Sequence, residues 1–259
     1  TWLLRRLRPT LEGTLFGKYD FRIMPDFAGG TAVLIDGYID ARLDPAFKIR
    51  VGKFKSFVGL ERLQSAADIK FLERSYVTNA LLPNRDLGIA VHGDLFQDRL
   101  NYAFGLMSGV SDGGNISTAP EFDSRKEFTG RLFATPFVND ASVLSGLGIG
   151  AAATYTDVVG ERNLNFTDTS AADATRNSLP GYLTEGQNTF FRYSGAAVAD
   201  GMRLRIAPQG YYYLGSFGVL AEYARVIQDV SLTTGGSPAG GGVGSNTVFT
   251  PNSGRQLHH

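Results

Sequence analysis

Apolar and polar side chains alternate one for one along much of this chain, and no apolar run reaches the roughly 18 to 20 residues a membrane-spanning helix needs. Between Leu3 and Phe16, the apolar residues Leu3, Leu7, Leu11 and Leu15 fall at odd positions and Arg6, Arg8, Thr10, Glu12 and Thr14 at even ones. The pattern recurs as Ile35, Gly37, Ile39, Ala41 and Leu43 against Asp36, Tyr38, Asp40 and Arg42. It recurs again as Leu100, Tyr102, Phe104 and Leu106 against Asn101, Ala103 and Gly105, and as Leu204, Ile206, Pro208, Gly210 and Tyr212 against Arg203, Arg205 and Gln209. A period of two puts successive side chains on opposite faces of a strand, so the expectation is an all-β chain of antiparallel strands with one apolar and one polar face. About ten strands are counted this way.

The connections distinguish the kinds of sheet this chain can build. Residues 17–19, 44–46, 96–98 and 214–216 read as tight turns, whereas 56–86, 109–124, 157–201 and the stretch from Val230 onward are long and polar or glycine-rich. Apart from a short link at Gly29-Gly30 and a middling one at 139–145, short and long ends alternate. Short turns at one rim and long loops at the other are the pattern of a transmembrane antiparallel β-barrel, whose closure satisfies every backbone group without water. Phe16, Tyr19, Phe21, Phe47, Phe96, Phe133, Phe137, Tyr212, Tyr213 and Phe217 gather at the short-turn end, where a membrane interface would hold an aromatic girdle.

Composition supports strands and turns and narrows the chemistry. Glycine occurs 32 times and aromatic residues make up 12% of the chain. Twenty-five basic residues balance 25 acidic ones, so no global field recruits nucleic acid and any charge selectivity must be local. The absence of cysteine excludes disulfides, thiolate metal sites and cysteine nucleophiles. Three histidines without supporting spacing make a metal centre or a catalytic set a poor fit, and no cofactor is expected. His92 with Asp94 reads as a hydrogen-bonded wall pair. The opening Thr-Trp-Leu-Leu-Arg-Arg lacks the order of a signal peptide, because charge follows only a short apolar patch. The glycine run at 235–244 reads as a flexible loop leading to further strands, so the single barrel domain, 1–259, is expected to lack part of the barrel at one or both ends.

The stretch Val51-Gly52-Lys53-Phe54-Lys55, then Gly59-Leu60-Glu61-Arg62-Leu63-Gln64-Ser65, Phe71-Leu72-Glu73-Arg74 and Pro83-Asn84-Arg85-Asp86-Leu87-Gly88, resembles the phosphate-selective porin O and P family. So do Leu4-Arg5-Arg6-Leu7-Arg8 with Glu12-Gly13-Thr14, and Gln209-Gly210-Tyr211-Tyr212-Tyr213 with Phe217-Gly218. The resemblance runs from the first strand to about Arg225. It implies a sixteen-stranded trimeric barrel in the bacterial outer membrane, in contact with lipid and lipopolysaccharide, that passes small anionic solutes such as phosphate. On that template Phe47 to Lys55 is the fifth strand, 56–86 the inward-folded constriction loop, and the first strand here the family's second, which would make the barrel domain incomplete at both ends. Many members carry proline after the second lysine, where this chain has Ser56 and Phe57.

On this expectation Lys53 and Lys55 lead into the loop, Arg62, Lys70 and Arg74 lie in it, and Arg85 leaves it, forming an anion constriction. Cations at a narrow point with low-dielectric walls select anions, and guanidinium in particular can fork two phosphate oxygens. A second set, Arg6, Arg8, Arg22, Arg42, Lys48, Arg50, Arg131, Arg203 and Arg205, falls on the polar faces as a wall ladder. The competing role for both sets is structural: Glu61, Asp68, Glu73 and Asp86 can pair the loop cations, and Glu12, Asp20, Asp36, Asp40, Glu127 and Glu222 the wall. Two other function classes stand beside a passive pore: an outer-membrane barrel with an enzymatic or adhesive role, and a soluble β-sandwich binding module.

Overall fold

The alternating stretches are strands, and their order along the chain is their order in space. In the computed structural model, which describes residues 6–28, 32–65, 69, 71, 73–114, 125–160, 178–184, 188–193, 197–233 and 249–258, an antiparallel meander begins with β1 (Leu11–Leu15), β2 (Tyr19–Asp26), β3 (Val33–Asp44) and β4 (Phe47–Lys55). Two short helices follow, α1 (Leu60–Leu63) and α2 (Tyr76–Ala80). The sheet resumes with β5 (Arg85–Leu95), β6 (Leu100–Met107), β7 (Glu127–Ala134) and β8 (Leu147–Val159). A separate hairpin, β9 (Gly181–Leu183) and β10 (Thr189–Arg192), stands apart from that sheet. The meander continues through β11 (Ala197–Leu214), β12 (Phe217–Glu222), β13 (Arg225–Thr233) and β14 (Phe249–His258).

Twelve strands share the one sheet, and β12 and β13 both run along β11, one at each end of its length. The step between them falls at Tyr223 and Ala224, where Tyr223 N still donates to Pro208 O at 3.1 Å. Among the described residues no ladder joins β1 to β14, so the sheet is open at those two edges. No helix among the described residues is long and apolar enough to cross a membrane.

The turns at 16–18, 45–46, 96–99 and 215–216 fall at one rim, and the long connections at the other, as the alternation of antiparallel strands requires. Two boundaries move from their expected places: β8 extends to Val159 and β11 starts at Ala197, which shortens the loop read from 157 to 201. The chain beyond Val230 is not all loop, since β13 continues to Thr233 and β14 pairs with it. The run 235–244 lies outside the described residues. Between β3 and β4 the backbones approach closely at Gly52, whose φ is +127° and where an added Cβ would collide with Gly37 O. Only glycine fits there.

The two faces are distributed in reverse of a water-soluble sheet. Leu11, Phe128 and Ile149 are about three-fifths exposed, and Leu132, Val51, Phe104, Ile39 and Leu43 about half, while Arg203, Arg205 and Glu127 are almost wholly covered. Along β7 the sequence Glu127, Phe128, Thr129, Gly130, Arg131, Leu132 alternates covered and open, with every charged residue on the covered side. Exposing this much contiguous apolar surface to water would be unfavourable, at roughly 25 cal/mol per Å². Against hydrocarbon the same face is satisfied, as in the outer surface of a membrane barrel.

One strand departs from the simple alternation. Ile35, expected outward, is buried, and Leu34 takes the outward place. The cause is a bulge: Met24 pairs with Asp36 and Pro25 with Leu34, which leaves Ile35 as the extra residue. Pro25 has no N–H to give the ladder, and an irregularity at that point accommodates it.

The aromatic girdle is likewise partial. Phe16, Tyr19, Phe47, Phe96 and Phe217 are exposed at the short-turn rim, but Phe133 is buried on the polar side. It stacks on Tyr211 with centroids 5.5 Å apart, and the Arg131 guanidinium lies 4.7 Å from its centroid.

Candidate functional site

The connection between β4 and β5 crosses the polar face of the sheet to its other end. Ser56 N donates to Asn84 O at 3.0 Å, so the loop's two ends are clasped together. Its body reaches β11, where Gln209 Nε2 donates to Val58 O at 2.9 Å, and β12, where the Glu222 carboxylate accepts from Leu60 N at 2.9 Å and Glu61 N at 3.4 Å. Those are the first N–H groups of α1, which have no partner within the helix. Val58, Leu81 and Leu82 pack with Ala152, Ala207 and Val226 from the inner faces of β8, β11 and β13. Apolar contact and hydrogen bonds thus hold the loop to strands far from it in sequence, 151 residues away in the case of Gln209.

Within the loop, Ser75 caps α2, its hydroxyl accepting from Thr78 N at 3.3 Å. Glu61 accepts from Ser75 N at 2.9 and 3.1 Å and from the Thr78 hydroxyl at 3.0 Å. Both nearby carboxylates, Glu61 and Glu222, are therefore occupied with loop N–H and hydroxyl donors.

The cations of the loop are held differently. Lys55 Nζ donates to Gln64 O at 2.8 Å, Arg74 donates to Glu61 O at 3.2 Å and Gln64 O at 2.8 Å, and Arg62 donates to Thr78 O. Among the described residues their hydrogen-bond partners are backbone carbonyls, which fix position without cancelling charge. Arg62 is buried, and its Nε has no hydrogen-bond partner. Burial, then the neighbouring Arg74 and Arg85 charges, push its guanidinium down to about 9, still cationic at neutral pH. Burial and Arg85 likewise lower Arg74. Burial is the larger cause in both, and the carboxylates nearby, Glu222 and Glu61 for Arg62 and Glu61 and Glu73 for Arg74, oppose the shift without reversing it.

Arg85 and Lys53 belong to the same neighbourhood with different partners. Arg85 forks Asp36, at 2.6 Å from Nε and 3.4 Å from Nη2, and Lys53 Nζ donates to Leu34 O at 2.5 Å. Lys70 and Asp68 lie outside the described residues. Glu73 pairs with Arg6 at 3.6 Å, and Asp86 accepts from Gly109 N at 2.7 Å and Leu87 N at 2.8 Å. Asp86 thereby ties the β6–β7 connection to the wall.

The wall arginines are mostly ion-paired. Arg8 meets Asp26 at 2.6 Å, Arg22 meets Glu12 at 3.6 Å, Arg42 meets Asp20 at 2.8 Å, Lys48 meets Asp94 at 2.8 Å and Arg50 meets Asp40 at 2.5 Å. Arg203 and Arg205 share Glu127 at 3.0 and 2.7 Å, and Arg205 also takes Asp112 at 2.6 Å. Arg131 is the exception among the described wall cations, bonded to Asn101 at 2.7 Å and Gln209 at 3.4 Å. His92, expected beside Asp94, instead meets Asp40, because β3, β4 and β5 bring those two across the sheet while Asp94 is taken by Lys48.

Gln209 and Asp112 carry out docking roles that sequence reasoning did not assign, and Glu222, read there as a wall acid, caps a helix instead. No pattern within one strand signals such contacts, which join segments far apart in the chain. Among the described residues no group of three or more His, Asp and Glu side chains could hold a metal ion.

Comparison with protein-family models gives a match to phosphate-selective porin O and P over residues 2–226. Comparison with curated proteins gives no match.

Proposed function

This chain belongs to the phosphate-selective porin O and P family, and from that premise we propose that it lines a water-filled outer-membrane channel for passive diffusion of small anions, phosphate foremost. No bond is made or broken. Selection is electrostatic: a solute entering the polar side meets fixed charge in a region of low dielectric, where a cation attracts an anion several times more strongly than in bulk water.

The observation that carries the proposal is the manner in which Lys55, Arg62 and Arg74 are held. Carbonyl oxygens orient them and leave their charge in place. They sit where the 56–84 loop fills the polar face, so this loop is proposed as the constriction and these three, with Arg85 and Lys53 beside them, as its filter. The wall ladder then contributes little net field, since nearly every described member has a carboxylate against it. Arg131 is the wall residue best placed to act on a passing anion. The outward apolar face is offered to lipid and lipopolysaccharide and, in the homotrimer the family resemblance implies, to neighbouring copies. A soluble sandwich would turn those residues inward, and they face out.

The test is reversal potential in planar bilayers with the full-length protein under a KCl gradient. Chloride is expected to permeate in excess of potassium, and added phosphate is expected to reduce chloride current by competing for the same cations. Cation selectivity, or current indifferent to phosphate, would contradict the proposal.

A further inference from the structure

Of the chain's three histidines, two are the consecutive His258 and His259, and His92 stands alone on β5. Its Nε2 lies 3.0 and 3.1 Å from the two carboxylate oxygens of Asp40 on β3. The same carboxylate accepts from Arg50 of β4 at 2.9 Å through Nε and 2.5 Å through Nη2. Phe57, at the root of the inward loop, packs on the imidazole with centroids 5.3 Å apart, and the Arg50 guanidinium lies 5.4 Å from the centroid of that same ring. The trio therefore joins the wall to the base of the loop.

The other charged groups around it are accounted for. Lys48 is directly opposite His92 in the β4–β5 register and is bonded to Asp94 on β5 itself. On the other flank β6 presents uncharged Ala103 and Asn101, and beyond Ala103 in the ladder stands Arg131 of β7. The loop contributes Phe57, without charge.

We propose that His92 is a selectivity-determining residue whose protonation strengthens anion preference: neutral, it leaves Asp40 and Arg50 to cancel, and protonated, it gives the Arg50–Asp40–His92 trio a net positive charge. Histidine is the side chain whose ordinary titration falls between about pH 5 and 8. The charge against the ring is the Asp40 carboxylate, which Arg50 shares with it, whereas the nearby Lys48 is paired to Asp94. The inference rests on the anion-conducting lumen proposed above.

The experiment measures reversal potentials of the full-length protein in a KCl gradient at about pH 8 and about pH 5.5, the two sides of histidine titration. The chloride-to-potassium permeability ratio of the unaltered protein should rise by roughly two- to threefold on acidification, as one added charge near the path would produce. His92→Gln should remove most of the rise, and His92→Lys should show a high ratio already at the higher pH. The unaltered protein and His92→Lys decide the matter even if His92→Gln fails to fold. An anion-selective channel with no pH step, or a step of undiminished size in His92→Gln, overturns the role of His92 and leaves the pore function standing. A channel that prefers cations at both pH values overturns both.

Discussion

Replacing Glu127 with alanine is expected to lower the stability of the folded protein by about 3 to 5 kcal/mol, the range for removing one partner of a buried ion pair. Glu127 accepts from Arg203 at 3.0 Å and from Arg205 Nη1 at 2.7 and 2.9 Å, and all three side chains are almost wholly covered. Without it, two adjacent guanidinium groups on β11 retain one carboxylate, Asp112, bonded to Arg205 at 2.6 Å. Arg203 keeps only the carbonyl of Gly109 at 3.1 Å. The cost is that of an uncompensated buried charge, and the intact cluster need not itself stabilise relative to an apolar one. The midpoint of urea unfolding in detergent micelles or lipid measures it. A shift of less than about 1 kcal/mol, the scale of exposed pairs, would mean that water reaches the cluster freely.

Neutralising the loop cations together, as Lys55→Gln, Arg62→Gln and Arg74→Gln, is expected to reduce the anion-to-cation permeability ratio by about tenfold, since three charges leave a low-dielectric region at once. Glutamine keeps donors for the carbonyl oxygens of Gln64, Thr78 and Glu61, so the loop has a means to stay folded. A paired control separates charge from bulk. Arg42→Gln with Asp20→Asn removes a wall ion pair of 2.8 Å whose net charge is zero, and selectivity should hardly move. An unchanged ratio in the triple variant would remove these residues from the filter. A loss in the wall pair of similar size would place the filter along the strands instead.

Strand positions and faces are legible in the sequence because a strand's two faces are decided within the strand. Along β7, Glu127, Thr129 and Arg131 alternate with Phe128, Gly130 and Leu132, and each set takes one face. The tight turns are legible for the same local reason. Ile35 is not, since its placement depends on Pro25 of the neighbouring strand. The charge partners depend on register across two or three strands, so His92 could be assigned to the lumen but not to Asp40. Docking of the loop depends on Gln209 and Glu222, 151 and 162 residues from the groups they bind, a separation no spacing rule spans. The basic residues of the loop stand out as a set, whereas the feature that distinguishes Lys55, Arg62 and Arg74 from the wall arginines, carbonyl rather than carboxylate partners, exists only in three dimensions.

Because the chain has no native cysteine, single cysteines carrying a small fluorophore can report which face meets lipid. At Leu132 and Ile149 on the outward face, in the protein reconstituted into vesicles, fluorescence should be quenched by brominated lipid chains and spared by aqueous iodide. At Asp94 and Asn101 on the polar face, iodide should quench and brominated lipid should not. The reverse pattern, with Leu132 and Ile149 shielded from lipid and Asp94 and Asn101 in contact with it, would contradict a sheet with water on its charged side and hydrocarbon on the other.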